Sequence, residues 1–148
     1  MKGVLSDIRV LDFGRFIACP YCGMMLADMG AEVIRIERPG GEEDRTVGLT
    51  GPNGENMSFP GLARNKKGLT LNLFKNDKAK AIFADLVKKS DVVIHNFAPE
   101  AARMAGLTYD ALSKVKKDII LVAMSCFGST GPYADRTGFD LVAQAMSG

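Results

Sequence analysis

Apolar residues gather in five short runs, at positions 8–13, 33–37, 69–73, 91–95 and 119–123. The third alternates, with Leu69, Leu71 and Leu73 on one face and Thr70 and Asn72 on the other, as a half-buried strand does. The fourth and fifth are nearly continuous runs of Val, Ile and Leu, which suits strands buried on both faces of a parallel sheet. Between the runs the period changes. Ala79, Ile82, Phe83, Leu86 and Val87 recur at helical spacing and predict a helix over 77–89. Asn76 is its candidate N-cap, and Lys88 and Lys89 suit the negative end of its dipole. A second helix is expected over 20–29, stopped by Gly30. A third should start at Thr108 or Tyr109 and end by Lys117, burying Leu112 and Val115. The order β-α-β, then β-α-β-α-β, predicts an α/β domain with a mostly parallel sheet and helices on both faces.

Residues 39–67 break the pattern. They hold Gly40, Gly41, Gly48, Gly51, Gly54 and Gly61 with Pro39, Pro52 and Pro60. So long a structureless stretch reads as a binding loop or as a segment ordered by a partner. Residues 139–148 open a new element, with Leu141, Val142, Ala145 and Met146 apolar and no polar tail. The expectation is that residues 1–148 are the incomplete, amino-terminal part of a larger domain.

Composition narrows the class. The chain has 148 residues, 47% hydrophobic and 24% charged, enough to bury a core without disulfide staples. A net charge of +2 gives no footprint for nucleic acid or a membrane surface. Asp12, Arg15, Asp28, Arg35 and Asp91 interrupt every apolar stretch before it reaches membrane-spanning length. The start lacks a signal-peptide core. Three cysteines fit a reducing compartment, so a cytoplasmic enzyme or subunit is expected.

Several local motifs carry chemistry. Cys19-Pro20-Tyr21-Cys22, after a strand and at a helix start, resembles the glutaredoxin site. A helix N-terminus favours the Cys19 thiolate, and Cys22 one turn on could resolve a mixed disulfide. The competing reading is two small buried thiols in a tight turn. Gly14-Arg15-Phe16-Ile17-Ala18-Cys19 is not a G-x-G-x-x-G turn, which argues against a nicotinamide enzyme although Glu37 stands where an acid would hold a ribose. Gly51-Pro52-Asn53-Gly54 is not a phosphate-binding loop. His95, the sole histidine, ends a strand without a paired acid. No spacing suggests a metal site. Lys66-Lys67 closes the Gly/Pro-rich stretch and could meet a phosphate. The glycines of residues 127–133 free backbone N–H groups that could line a ligand.

Five segments in order resemble the family III CoA-transferases, the CaiB/BaiF type that includes formyl-CoA transferase. They are residues 5–13 (LSDIRVLDF), 26–41 (LADMGAEVIRIERPGG), 65–73 (NKKGLTLNL), 91–99 (DVVIHNFAP) and 127–133 (FGSTGPY). Gly138-Phe139-Asp140 and Gln144-Ala145-Met146-Ser147-Gly148 follow. The resemblance implies a Rossmann-like large domain, paired with a small domain in an interlocked homodimer. It implies transfer of coenzyme A from an acyl-CoA to a free carboxylic acid through an aspartyl anhydride and thioester. The family's nucleophilic aspartate would fall beyond Gly148, so no residue here is expected to be catalytic. By the same resemblance, Phe16, Ile17 and Ala18 approach the pantetheine arm and thioester. Arg38, and with it Arg103, should meet phosphates. Leu71, Asn72 and Leu73 should flank the adenine, Asn96 and Phe97 should hold the middle of CoA, and Gly138, Phe139 and Asp140 should border the acyl group. Ile17, Cys19 and Met104 depart from the family pattern. The α-methylacyl-CoA racemases share the fold, but their proton-carrying histidine falls where this chain has Phe139.

Overall fold

A computed structural model describes residues 3–52, 56–74 and 76–148. Met1, Lys2, Asn53 and Gly54 of the motifs above lie outside the described residues. Five strands form one sheet: β1 (Arg9–Asp12), β2 (Glu32–Glu37), β3 (Lys66–Thr70), β4 (Val92–His95) and β5 (Ile120–Ala123). All neighbours run parallel, in the order β3-β2-β1-β4-β5. Among the described residues six α-helices accompany them: α1 (Ala18–Asp28), α2 (Phe59–Ala63), α3 (Asp77–Lys88), α4 (Pro99–Ala105), α5 (Tyr109–Ser113) and α6 (Asp140–Ser147).

The strand order decides where the helices go. From β1 the chain steps outward to β2 and β3, then crosses back over the sheet to β4 and β5. Right-handed crossovers in opposite directions put their helices on opposite faces. Alternate strand residues confirm it. Val10, Val33, Val92 and Ile94 pack with Ala27 of α1 and with Ala31. Leu11, Ile36 and Val93 pack with Phe83 and Val87 of α3, Ala102 and Ala105 of α4, and Leu112 of α5. The reversal falls between β1 and β4, and the crevice beyond the carboxyl ends of those two strands is where such sheets bind ligands.

The local expectations met four outcomes. Asn76 caps α3 by accepting the Lys78 N–H at 2.9 Å, and Gly30 ends the α1 turn at φ 100°. The third strand runs Lys66–Thr70 rather than 69–73, because its ladder to β2 pairs Val33 with Lys66 and Glu37 with Thr70. Leu71 adds one last bond to the Glu37 carbonyl. The third helix is shorter than expected and leaves Val115 36% exposed. Helix α4, which periodicity misses because it is short and alanine-rich, starts with Pro99 and stops at left-handed Gly106, the positions where proline and glycine suit helix ends.

The Gly/Pro-rich stretch is not structureless. It holds a 3-10 turn (Glu43–Arg45), an isolated bridge from Thr50 to Asn56, and α2. Asn56 organises it: its carbonyl oxygen accepts the N–H groups of Ser58 and Phe59, and its amide donates to the Asp44 and Val47 carbonyls.

Candidate functional site

A crevice of about 750 Å³ lies at the switch point. Four stretches border it: the turn after β1, the turn from β4 into α4, the exit of β5 and the segment leading into α6. Phe16, Ile17, Ala18, Asn96, Phe97, Gly138, Phe139 and Asp140 all line it. The fold therefore gathers eight of the residues that the sequence singled out.

The turn after β1 is the most constrained part. Phe16 sits at φ 60°, a left-handed conformation that costs a non-glycine residue about 1–3 kcal/mol. Three successive backbone N–H groups of the turn are tied to side chains. Gly14 donates to Asp12 Oδ1 at 2.7 Å, and Arg15 donates to Asn96 Oδ1 at 2.8 Å. Asn96 Nδ2 returns a bond to the Arg15 carbonyl at 2.9 Å. Phe16 donates to Asp44 Oδ2 at 3.1 Å. Both ends of the Asn96 amide are thus spent on the turn, so Asn96 positions that turn. Gly14 is required here, since a Cβ would stand 2.5 Å from that of Cys19.

Asp44 is itself held. Arg35 Nη2 donates to its two oxygens at 2.9 and 2.7 Å. Arg35 Nε reaches Glu37 at 3.2 Å, and Arg45 pairs with Glu37 at 2.6 Å. The Phe59 ring lies under both guanidiniums, 5.2 Å from Arg35 and 4.4 Å from Arg45. Burial works against the charge on Glu37, but the Arg45 and Arg35 guanidiniums outweigh it and hold the carboxyl below its usual range.

Aromatic packing shapes the walls. Phe16 meets Phe139 edge-on at 5.2 Å. The Arg15 guanidinium lies 4.7 Å from the centre of the Phe97 ring, which also stacks on Phe74. Gly138 allows the last wall to close, because a Cβ there would sit 2.7 Å from Cys126 Sγ.

The other expected contacts lie elsewhere. Arg38 is on the exposed turn, bonded to Glu43 at 2.7 Å and to the Gly41 carbonyl at 3.1 Å. Arg103 faces Asp135 at 3.5 Å on the surface. Asn72 accepts the Phe74 N–H at 3.2 Å. Leu71 packs partly against the core, and Leu73 is in it, 3% exposed. Lys66 is not available to a phosphate: its Nζ is buried, donating to Asp12 Oδ2 and the Pro20 carbonyl, both at 2.7 Å.

Two competing chemistries lose their footing. The Cys19 thiol is pushed up to about 12, first by burial and then by the Asp12 and Cys22 charges, against the pull of Lys66. A buried thiol biased this way is a poor redox nucleophile. His95 is buried, accepts the Phe97 N–H on Nδ1 at 3.2 Å, and does not line the crevice. Burial lowers its pKa.

Met124, Ser125, Cys126 and Arg136 also line the crevice and were not picked out from the sequence. The first three sit at the carboxyl end of a parallel strand, a position that by itself marks a site in such a sheet.

The sequence matches CoA-transferase family III over residues 5–148. The chain belongs to this family. It is 41% identical over 145 residues to the succinyl-CoA–D-citramalate CoA-transferase of Chloroflexus aurantiacus, covering 97% of this chain and 36% of that protein. It is 40% identical over 154 residues to the succinate–glutarate CoA-transferase of Agrobacterium fabrum, covering 99% of this chain and 38% of that one. A solved CaiB/BaiF family protein from Brucella suis superposes with a TM-score of 0.88 at 32% identity, over 99% of this chain and 39% of that chain. A hypothetical protein from Mycobacterium tuberculosis does so at 0.89 and 36%, over 99% and 40%. The chain thus spans a little over a third of the length of these relatives. As a member of family III, it carries the α/β, parallel-sheet fold expected from its runs.

Proposed function

We propose that this chain is the amino-terminal, CoA-binding part of the large domain of an enzyme that moves coenzyme A from a dicarboxylic acyl-CoA to a second carboxylic acid. One observation carries the reading. The switch-point crevice is largely apolar, large enough for a pantetheine arm and acyl group, and entered beside a strained turn that three side chains, Asp12, Asn96 and Asp44, hold in place. The dicarboxylic character follows from relatives named for succinyl-CoA, citramalate, glutarate and malate.

An aspartate outside these residues would attack the thioester carbonyl, breaking the C–S bond and releasing CoA thiolate, with an aspartyl anhydride left behind. The thiolate would attack the aspartyl carbonyl, releasing the donor acid and forming an aspartyl thioester. The acceptor carboxylate would then attack the aspartyl thioester carbonyl, expelling CoA thiolate and forming a second anhydride, and the thiolate would attack the acceptor's acyl carbon, freeing the aspartate and giving the new CoA thioester. The residues present would bind and orient: Phe16, Ile17 and Ala18 along the thioester arm, Phe97 under the middle of CoA, and Phe139 beside the acyl group. Arg38 and Arg103, which do not line the crevice, would reach phosphates only by leaving Glu43 and Asp135. An interlocked homodimer in the cytoplasm, using no metal, completes the proposal.

The test is direct. The purified protein, as its gene encodes it, is incubated with succinyl-CoA and citramalate, malate or glutarate, and CoA thioesters are separated by chromatography. Appearance of the acceptor's thioester with loss of succinyl-CoA is expected. No new thioester with any acceptor, and no binding of CoA, would sink the proposal.

A further inference from the structure

We propose that Arg136 is a carboxylate-reading side chain that selects acyl groups carrying a second, free carboxylate. The inference rests on the reading above that the crevice takes acyl-CoA. Three observations on this chain carry it. First, among the described residues Arg136 is the only basic one lining the crevice, whose other polar side chains are Asn96, Ser125, Thr137 and Asp140, the last of these already accepting a bond from Gln144. Second, it is unclaimed. Arg38, Arg45, Arg64 and Arg103 each face a carboxylate, whereas among the described residues no ion pair involves Arg136. Third, it is braced. Its guanidinium carbon lies 4.2 Å from the centre of the Tyr133 ring, and Tyr133 meets Phe127 edge-on at 5.6 Å. The Arg136 N–H also bonds to the Tyr133 carbonyl at 2.9 Å.

Stacking on a ring occupies one face of a guanidinium and leaves its planar edge of N–H donors free. That edge matches a carboxylate with two parallel hydrogen bonds. Arg136 is exposed in the open crevice, and an acyl chain ending in methyl offers its donors no acceptor. Arg136 is only two residues from Gly138, whose close approach to Cys126 sets the wall, so its backbone is held beside the crevice.

The experiment compares two thioether analogues that cannot be transferred, S-(3-carboxypropyl)-CoA and S-butyl-CoA, by titration calorimetry. The whole protein is used as wild type, Arg136→Gln and Arg136→Lys. Wild type should prefer the carboxylated analogue by roughly 10- to 100-fold. Arg136→Gln should erase the preference while binding S-butyl-CoA as before, and Arg136→Lys should keep part of it. The inference is overturned if wild type shows no preference, or if Arg136→Gln retains it. It is equally overturned if Arg136→Gln weakens both analogues alike, which would put the guanidinium on a CoA phosphate. A wild type that discriminates between the analogues but transfers no CoA would count against the proposed function and leave the Arg136 assignment standing.

Discussion

Asp44 accepts the backbone N–H of Phe16 at 3.1 Å from a position 28 residues further along the chain. This bond ties the strained turn at the crevice to the Gly/Pro-rich segment. That segment therefore acts on the crevice through its charges: Asp44 braces the turn, Arg35 braces Asp44, and Glu37 with Arg45 braces Arg35.

Removing Asp44 should expose this dependence. Asp44→Ala strands part of the buried Arg35 charge and should cost about 3 kcal/mol of stability in urea unfolding. The double change Arg35→Met with Asp44→Leu takes the charges out together and should recover much of that loss. It still leaves the Phe16 N–H without an acceptor, so CoA affinity should remain depressed in a titration. A double variant that binds CoA like wild type would show that the turn does not need Asp44.

Gly23 allows α1 to cross a buried ion pair. Lys66 Nζ meets Asp12 Oδ2 at 2.7 Å, and both side chains are essentially inaccessible. A Cβ on Gly23 would stand 2.7 Å from Asp12 Oδ2 and 3.0 Å from Lys66 Nζ. Gly23→Ala should therefore destabilise by about 1–3 kcal/mol, through overpacking, despite alanine's better helix propensity. The midpoint of denaturant unfolding measures it, and a more stable Gly23→Ala would contradict the geometry.

The sheet and the helices α1 and α3 were legible because periodicity records burial directly. Val92, Val93 and Ile94 are buried on both faces and read as an unbroken apolar run. The start of β3 was not legible. Lys66 is a core residue by virtue of Asp12, 54 positions away, and a lysine in sequence reads as surface. The described part of the Gly/Pro-rich stretch escaped for the same reason, since the turn at Glu43–Arg45 and the start of α2 are held by ion pairs and Asn56 rather than by apolar spacing. Phe16, Asn96 and Phe139 were reached through the family resemblance. Arg136 carries no such pattern, and only the folded crevice sets it apart from the other basic residues.

Cys19 offers a chemical test of the turn. With its thiol pushed up to about 12 by burial, Asp12 and Cys22, it should resist iodoacetamide in the native protein at about pH 8. It should react only after unfolding, as read by mass spectrometry. Its raised folded pKa stabilises the protein below the ordinary thiol value of 9.0, and this contribution should fade as pH climbs from there toward the folded value. Fast native alkylation of Cys19 would revive a dithiol role for Cys19 and Cys22.

Acid should act through Glu37. Burial disfavours its charge, but the Arg45 and Arg35 guanidiniums win and hold its pKa below the usual 4.5. For a depressed carboxyl the stabilisation is complete above the unfolded pKa and is lost as pH falls through the folded one. Glu37→Gln should thus lower the Tm at neutral pH by several degrees, because it leaves Arg35 and Arg45 with a weaker partner. The gap between wild type and Glu37→Gln should hold above the ordinary carboxyl value of 4.5 and close as the pH falls below it, through the lowered folded pKa. The difference between the two Tm curves isolates Glu37 from Asp28, Glu32 and Glu43, whose pKa values are also lowered and which titrate identically in both proteins. A gap that stays constant across the acid range would place the effect of the substitution in packing instead of charge.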